Sequence, residues 1–468
     1  MNKFTVRACL PVLMILTISG CTVGPDYHPP GDAPEAERFA RLPSEGVSSA
    51  PAISQWWLAL NDPLLNSLIK SALENNPDIA AAKARLRQAR ASLGGESANK
   101  YPKLSATGAA IRTRLPDSTG LTANNPLELY SNGFDASWEL DMFGGTRRGI
   151  EAARAQEQAS AASLADTHVS IAAEVAKNYL NLCGERLQLA LLQRSIVVQQ
   201  QMLTLTQQRR ERGVASDSDV ERLVTQLETT RSQITPLQAD ISDSLDTLAF
   251  LLGKTPGELD KQLSAAKALP SLPSRVNVGD PAQLLRQRPD IRSAERQLAA
   301  STAQIGEHVA DLFPKVNIFG TLGFSSTGGG PLWQKQNASW TVVPYLQWNF
   351  LDFGRVQAQI NTARAQRDES EANWRKAVLG ALRDANASLS HYGHQRQNLM
   401  DLERVTLSAE RSSALMRQRY QAGVVSLIDL LDTERSLLST QQEQINAQTQ
   451  LTVDYVALQK SLGLGWQA

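Results

Sequence analysis

Five histidines are the obvious candidates for a catalytic base or a metal ligand. His391 and His394 stand three residues apart on a predicted helix, so their imidazoles share one face and could grip a metal ion together. Two nitrogen ligands with no carboxylate or thiolate pair nearby make half a zinc site at most, and solvated polar residues are the simpler reading. Gly328-Gly329-Gly330 could cradle a phosphate only at the entry to a helix, yet it lies between two predicted strands and precedes no helix. The serines, histidines and aspartates form no nucleophile motif. These residues point away from an enzyme, and neither a metal nor a dissociable cofactor is expected.

Cysteine carries a different chemistry. A cationic start (Lys3, Arg7) and an apolar run from Ala8 to Ile18 read as a secretory signal, too short to span a bilayer comfortably. The run ends in Ile18-Ser19-Gly20-Cys21, which resembles the lipobox at which bacterial lipoproteins are cleaved and acylated. Residues 1–20 are then expected to leave as a signal peptide. Cys21 becomes the N-terminus, carrying an S-diacylglycerol and an N-palmitoyl chain, and several acyl chains on one residue anchor it stably. Thr22 follows where an inner-membrane lipoprotein would carry aspartate, so the destination is the outer membrane. Cys183 remains as the only thiol of the mature chain, and no intramolecular disulfide is expected. Lys plus Arg and Asp plus Glu both number 47, so nothing attracts the chain to nucleic acid.

The elements around these residues come in duplicate. Pro77-Asp78-Ile79 returns as Pro289-Asp290-Ile291, and Pro102-Lys103 returns at the same offset as Pro314-Lys315. At an offset shorter by two residues, Trp138, Phe143 and Gly144 return as Trp348, Phe353 and Gly354. That shorter offset persists through Gly213-Val214, Ser216 and Asp219, which match Gly423-Val424, Ser426 and Asp429. The difference falls between Lys103 and Trp138, where Pro116, Gly120 and Asn124-Asn125-Pro126 read as a loop. After a lipidated N-terminal segment, 21–61, the first repeat is expected to span 62–262 and the second 274–468.

Each repeat reads as a helix, two strands and a long helical hairpin. The hairpins are expected at about 146–252 and 355–462, rich in Ala, Gln, Glu, Leu and Arg, broken by Gly213 and Gly423 and bent at Pro236. Apolar residues three and four apart, as in Leu430, Leu431, Leu437 and Leu438, mark coiled-coil packing. The strands, at about 103–113, 130–141, 315–326 and 339–350, have the opposite period. Trp340, Val342, Pro344, Leu346, Trp348 and Phe350 alternate with Thr341, Val343, Tyr345, Gln347 and Asn349. About ten residues suffice to cross an outer membrane at a tilt, whereas no later segment is a membrane helix. One hairpin alone would fit a soluble sheet equally well. In lipid, however, four strands cannot close a barrel; two copies would pool about eight and three about twelve.

These features resemble the TolC-like outer-membrane factors, specifically their lipidated NodT-type efflux branch. The segments that carry the resemblance are Cys21-Thr22-Val23-Gly24-Pro25-Asp26-Tyr27, Trp56-Trp57 with Asp62-Pro63-Leu64, Arg288-Pro289-Asp290-Ile291, Phe313-Pro314 and Ser461-Leu462-Gly463-Leu464-Gly465-Trp466-Gln467. Relatives often have another glycine where Leu464 stands. The resemblance implies a mainly α, internally duplicated fold whose helical hairpins form a periplasmic tunnel and whose strands form a 12-stranded barrel in a homotrimer. It implies an exit duct for drugs or other small toxic compounds, working with a periplasmic adaptor and an inner-membrane transporter, for which the RND class is the leading expectation. It also implies a gate at the hairpin tips, with Asp429 and Asp432 pointing inward after Tyr420-Gln421-Ala422-Gly423, and Asp219 in the matching place. Asp219 and Asp429 are equally suited to cap helix N-termini. Some relatives add a tip arginine; Val425 stands there here. A periplasmic coiled-coil adaptor would share the lipobox and hairpins but not the amphipathic strands, and a type I protein-secretion duct would share the fold.

Overall fold

The computed structural model describes residues 22–31, 38–48, 50–51, 53–114, 126–264, 268–327 and 331–466. Cys21, the loop at 115–125, Gly328-Gly329-Gly330 and Gln467 lie outside them. The chain forms two compact units, and each draws on both sequence repeats: one joins Arg85–Ser160 and Ser293–Trp374 with the arm before Asp32, and the other joins Asp32–Ala84, Ala161–Arg292 and Arg375–Ala468.

In chain order, after β1 (Val47–Ser48) of the N-terminal segment, the first repeat holds α1 (Pro63–Asn75), α2 (Pro77–Ala98), β2 (Lys103–Thr113), β3 (Leu127–Leu140), α3 (Gly145–Glu211), α4 (Asp217–Ser232) and α5 (Ile234–Leu251). After α6 (Asp260–Leu263), β4 (Val276–Asn277) and α7 (Pro281–Gln287), the second holds α8 (Pro289–Ala310), β5 (Lys315–Thr327), β6 (Ala338–Gln347), α9 (Arg355–Gln421) and α10 (Leu427–Ser461). Helices α3 and α9 have 67 residues each, as expected of segments without internal proline. The bend assigned to Pro236 falls at Gln233, where the first return strand of the hairpin splits into α4 and α5. A proline ring clashes with the carbonyl four residues earlier, here Ser232, so the break precedes the proline. With Asn446 at the matching position, α10 runs unbroken.

The sheet unit contains one antiparallel sheet in the order β2-β3-β5-β6. Lys103 lies opposite Ser137 and Lys315 opposite Gln347, so the two hairpins keep the same register through the duplication. Trp138 and Trp348 perform one task twice: each indole N–H donates at 3.0 Å to a carbonyl just past the preceding helix, that of Lys100 and of Leu312 respectively. β6 ends at Gln347 rather than reaching Phe350, because its ladder partner β5 begins at Lys315, opposite Gln347.

The other unit is built on helix packing. Trp56, Leu60, Leu65, Leu68, Ile69, Leu180, Leu248, Leu252 and Tyr455 are almost wholly shielded from water, each large apolar side chain contributing about 1.5–3 kcal/mol. Asp62 caps α1 by accepting from the amides of Leu64 and Leu65, and Tyr179 donates to its second oxygen at 2.7 Å. Residues before the duplicated Pro-Asp-Ile close each hairpin. Asn76 donates to the Leu251 carbonyl at 2.8 Å, and Arg288 donates to the Ser461 carbonyl at 2.7 Å while pairing with Asp290. Carbonyls at two helix ends are thereby satisfied. Cys183 is buried and free, its thiol pushed up to about 12 by burial.

Candidate gate and membrane face

Both long helices end in the same way. Gly213 and Gly423 take φ of 71° and 75°, and the following Val214 and Val424 amides return to the carbonyls of Arg209 and Arg419 at 2.8 and 2.9 Å. Only glycine adopts that backbone without strain. Ser216 and Ser426 then cap the return helices, and Asp219 and Asp429 complete capping boxes: each carboxylate accepts from the backbone N–H of its serine, at 3.0 and 3.2 Å, and each serine Oγ accepts from its aspartate's N–H. These bonds from Ser216 hold the Asp219 carboxyl below its ordinary value.

The neighbouring turns of α4 and α10 pack together. Val220, Leu223, Leu227, Leu427 and Leu430 share one core with Leu203, so Asp219 and Asp429 flank a common apolar seam. Asp432 is exposed and pairs with Arg435 at 3.2 Å. Tyr420 is half-buried against that core, and the Arg209 guanidinium lies 5.0 Å from its ring centroid. Tyr420 thus ties the second hairpin to the first. Patterning alone could not find Arg209, because a cation–π partner on another helix leaves no local signature. It could not find the clasp one turn farther along either: Arg417 grips Glu434 through two guanidinium nitrogens at 2.5–2.6 Å, and the buried Ser413 donates to the same carboxylate at 2.6 Å.

Strand register sorts the sheet into two unlike faces. One carries Leu104, Phe134, Trp138, Leu140, Val316, Ile318, Leu322, Phe324, Trp340, Val342 and Leu346. Trp340 is 75% exposed and Leu322 62%, an apolar surface that water would not tolerate. The other face is lined mainly with Ser105, Thr107, Ser131, Asp135, Ser137, Asn317, Thr321, Ser325 and Thr341, with Ile111, Leu129, Phe319, Val343 and Tyr345 among them, and alternation of this kind is the signature of a barrel wall between lipid and water.

The arm at 22–31 is seated at the base of this sheet. Val23 donates to the Phe143 carbonyl at 3.1 Å, and Thr22 crowds Gly144. Arg148, whose side chain is only 4% exposed, donates to the carbonyls of Val23 and Gly24 and pairs with Asp26 at 2.6 Å and Glu151 at 2.8 Å. Tyr27 donates to Glu295 at 2.6 Å beneath Arg296. His391 and His394 are both exposed on α9.

Residues 68–254 and 281–464 match the model of the outer membrane efflux protein family. The chain is 30% identical to nodulation protein T of Rhizobium leguminosarum bv. trifolii, over 99% of this chain and 98% of that protein. It is 29% identical to the solvent efflux pump outer membrane protein SrpC of Pseudomonas putida, over 98% of each. Among solved structures, the outer-membrane channel OprN aligns with a TM-score of 0.89 and 35% identity, covering 96% of this chain and all of that one.

Proposed function

Since this chain belongs to the outer membrane efflux protein family and is an outer-membrane efflux channel, we propose that it works as a lipid-anchored homotrimeric exit duct without catalytic activity. The observation that carries this reading is the sheet: an exposed apolar face on four strands whose outer edges, β2 and β6, have no partner strand among the described residues. Unpaired edges are not viable in lipid, where every backbone amide needs a partner, so copies must pool their strands. Acyl chains on Cys21 would anchor the arm whose next residue, Thr22, packs against Gly144.

The cargo is drugs or other small toxic compounds, and the mixed inner wall, where Phe319, Val343 and Tyr345 stand among serine, threonine and asparagine side chains, supports this by suiting no single chemical class. Energy comes from an inner-membrane transporter of the RND class through a periplasmic adaptor. The hairpin turns form the periplasmic entrance, with Asp432, Asp429 and Asp219 around it and Val214 and Val424 exposed for the adaptor. Membrane fractionation with heated and unheated gel electrophoresis tests the reading. A heat-dissociable oligomer in the outer membrane is the expected result; a soluble monomer would overturn it.

A further inference from the structure

The stretch of α9 that carries His394 floors a cavity of about 470 Å³, and residues 41–45 roof it. That volume is typical of sites for small organic ligands. The roof is held down along its length. The Arg41 amide donates to Asn386 Oδ1 at 3.0 Å, and Pro43 rests on Gly393, where a Cβ would meet its ring at 2.8 Å. Just past the cavity the Gly46 carbonyl accepts from the Val276 amide at 2.9 Å, as β1 enters its pairing with β4. Gly46 takes a φ of 80°, and a side chain there would collide with the Arg396 guanidinium. Glycine therefore leaves the room that Arg396 occupies.

Arg396 is the unusual member of the lining. Its Nη1 is shielded from water yet meets no hydrogen-bond acceptor among the described residues. A buried donor on a charged group is costly to leave unpaired, and an anion in the cavity would supply the acceptor. The rest of the lining suits one. Two arginines, Arg41 and Arg396, stand against one carboxylate, Glu45, and a surplus of one positive charge matches a carboxylate better than a phosphate dianion. Ser44, Ser390 and Gln397 offer neutral groups that can hydrogen-bond amides, while Leu389 and the exposed Leu42 and Met400 offer apolar surface.

Resting on the outer-membrane placement above, which sets the helical hairpins in the periplasm, we propose that this cavity binds a short peptide with a free terminal carboxylate and small apolar side chains, the chemistry that stem peptides of the cell wall present there. Arg396, through Nη1, and Arg41 take the carboxylate. The serines and Gln397 take the peptide amides, and Leu389 and Met400 take the methyl groups. Such a contact fastens the helical unit to the wall it passes through and leaves the channel itself untouched.

Ligand-detected NMR on the full-length oligomer in detergent tests the site, with N-acetyl-D-alanyl-D-alanine as probe and its terminal amide as control. The acid should bind, and the amide about tenfold more weakly, since it forfeits the charged hydrogen bonds. Arg396→Gln should weaken the acid by about tenfold, and Gly46→Ala should weaken it too by pushing the guanidinium aside. Glu45→Gln, an exposed change, should instead tighten binding about threefold by removing the like charge. Equal binding of acid and amide, or unchanged binding in both Arg396→Gln and Glu45→Gln, overturns the site. Binding of N-acetyl-L-alanyl-L-alanine as strong as that of the D-peptide, or stronger, overturns the cell-wall source in favour of a protein's carboxyl end. Preference for inorganic phosphate over either peptide overturns the peptide ligand. All of these failures spare the exit duct, whose heat-dissociable oligomer is read separately by electrophoresis.

Discussion

At the residue scale, the buried Arg148 holds together chain segments distant in sequence. Arg148 uses its guanidinium on two carbonyls and two carboxylates, so Arg148→Met leaves Val23 and Gly24 without a donor. Because Asp26 is 77% exposed, water replaces part of the loss, and a cost of about 1–3 kcal/mol is expected. Limited proteolysis should show the arm at 22–31 released in that variant while the helical core stays resistant. Asp166 illustrates the opposite electrostatics. Burial raises its carboxyl above the ordinary value of 3.8, and Asp290 adds to the shift, against Arg288 and Lys460. The folded state therefore binds the proton more tightly than the unfolded chain. Its contribution is present in full below the unfolded value and lost as pH rises through the folded one. Asp166→Asn should raise the unfolding midpoint at neutral pH and leave it unchanged below pH 3.8, read by circular dichroism across a pH series.

At the element scale, adjacent residues of one strand meet different solvents. Leu322→Arg places a charge on the apolar face and should cost about 2–4 kcal/mol of insertion, seen as loss from the outer-membrane fraction. Thr321→Arg, one residue earlier but on the polar face, should insert normally and change single-channel conductance. The hairpins make a second comparison. Where the first repeat packs Leu203 and Val224, the second places Ser413 and Glu434, the latter clasped by Arg417. Glu434→Ala removes one partner and should destabilise the second hairpin by about 1–3 kcal/mol. Ser413→Leu with Glu434→Val copies the apolar solution of the first repeat and should recover that loss, measured by hydrogen exchange along α9 and α10.

At the scale of the whole molecule, the aspartates near the turns have two tasks that mutation can separate. Asp429 closes a capping box, whereas Asp432 makes an exposed ion pair with Arg435 one turn away. Asp432→Asn should therefore raise conductance in planar bilayers with the turn's hydrogen exchange unchanged. Asp429→Ala should raise both, since it also removes a cap that contributes about 1 kcal/mol. Unchanged conductance in the Asp429→Ala, Asp432→Ala double variant would remove the gate assignment.

The duplication, the two periodicities and the glycine breaks were legible in sequence because each is a local pattern. Helix formers without proline fix α3 and α9; strict alternation fixes the strands and their faces; Gly213 and Gly423 fix the turns. Trp138 and Trp348 were legible as a repeated pair, although their shared task was not, since the acceptor is a carbonyl that every residue owns. Tertiary structure alone decided the pairing of β3 with β5, the grip of Arg148 on the arm, the clasp of Arg417 on Glu434, and the placing of Arg209 over Tyr420. Those contacts join residues far apart in the chain, and their geometry depends on how whole helices and strands pack rather than on any residue's neighbours in sequence.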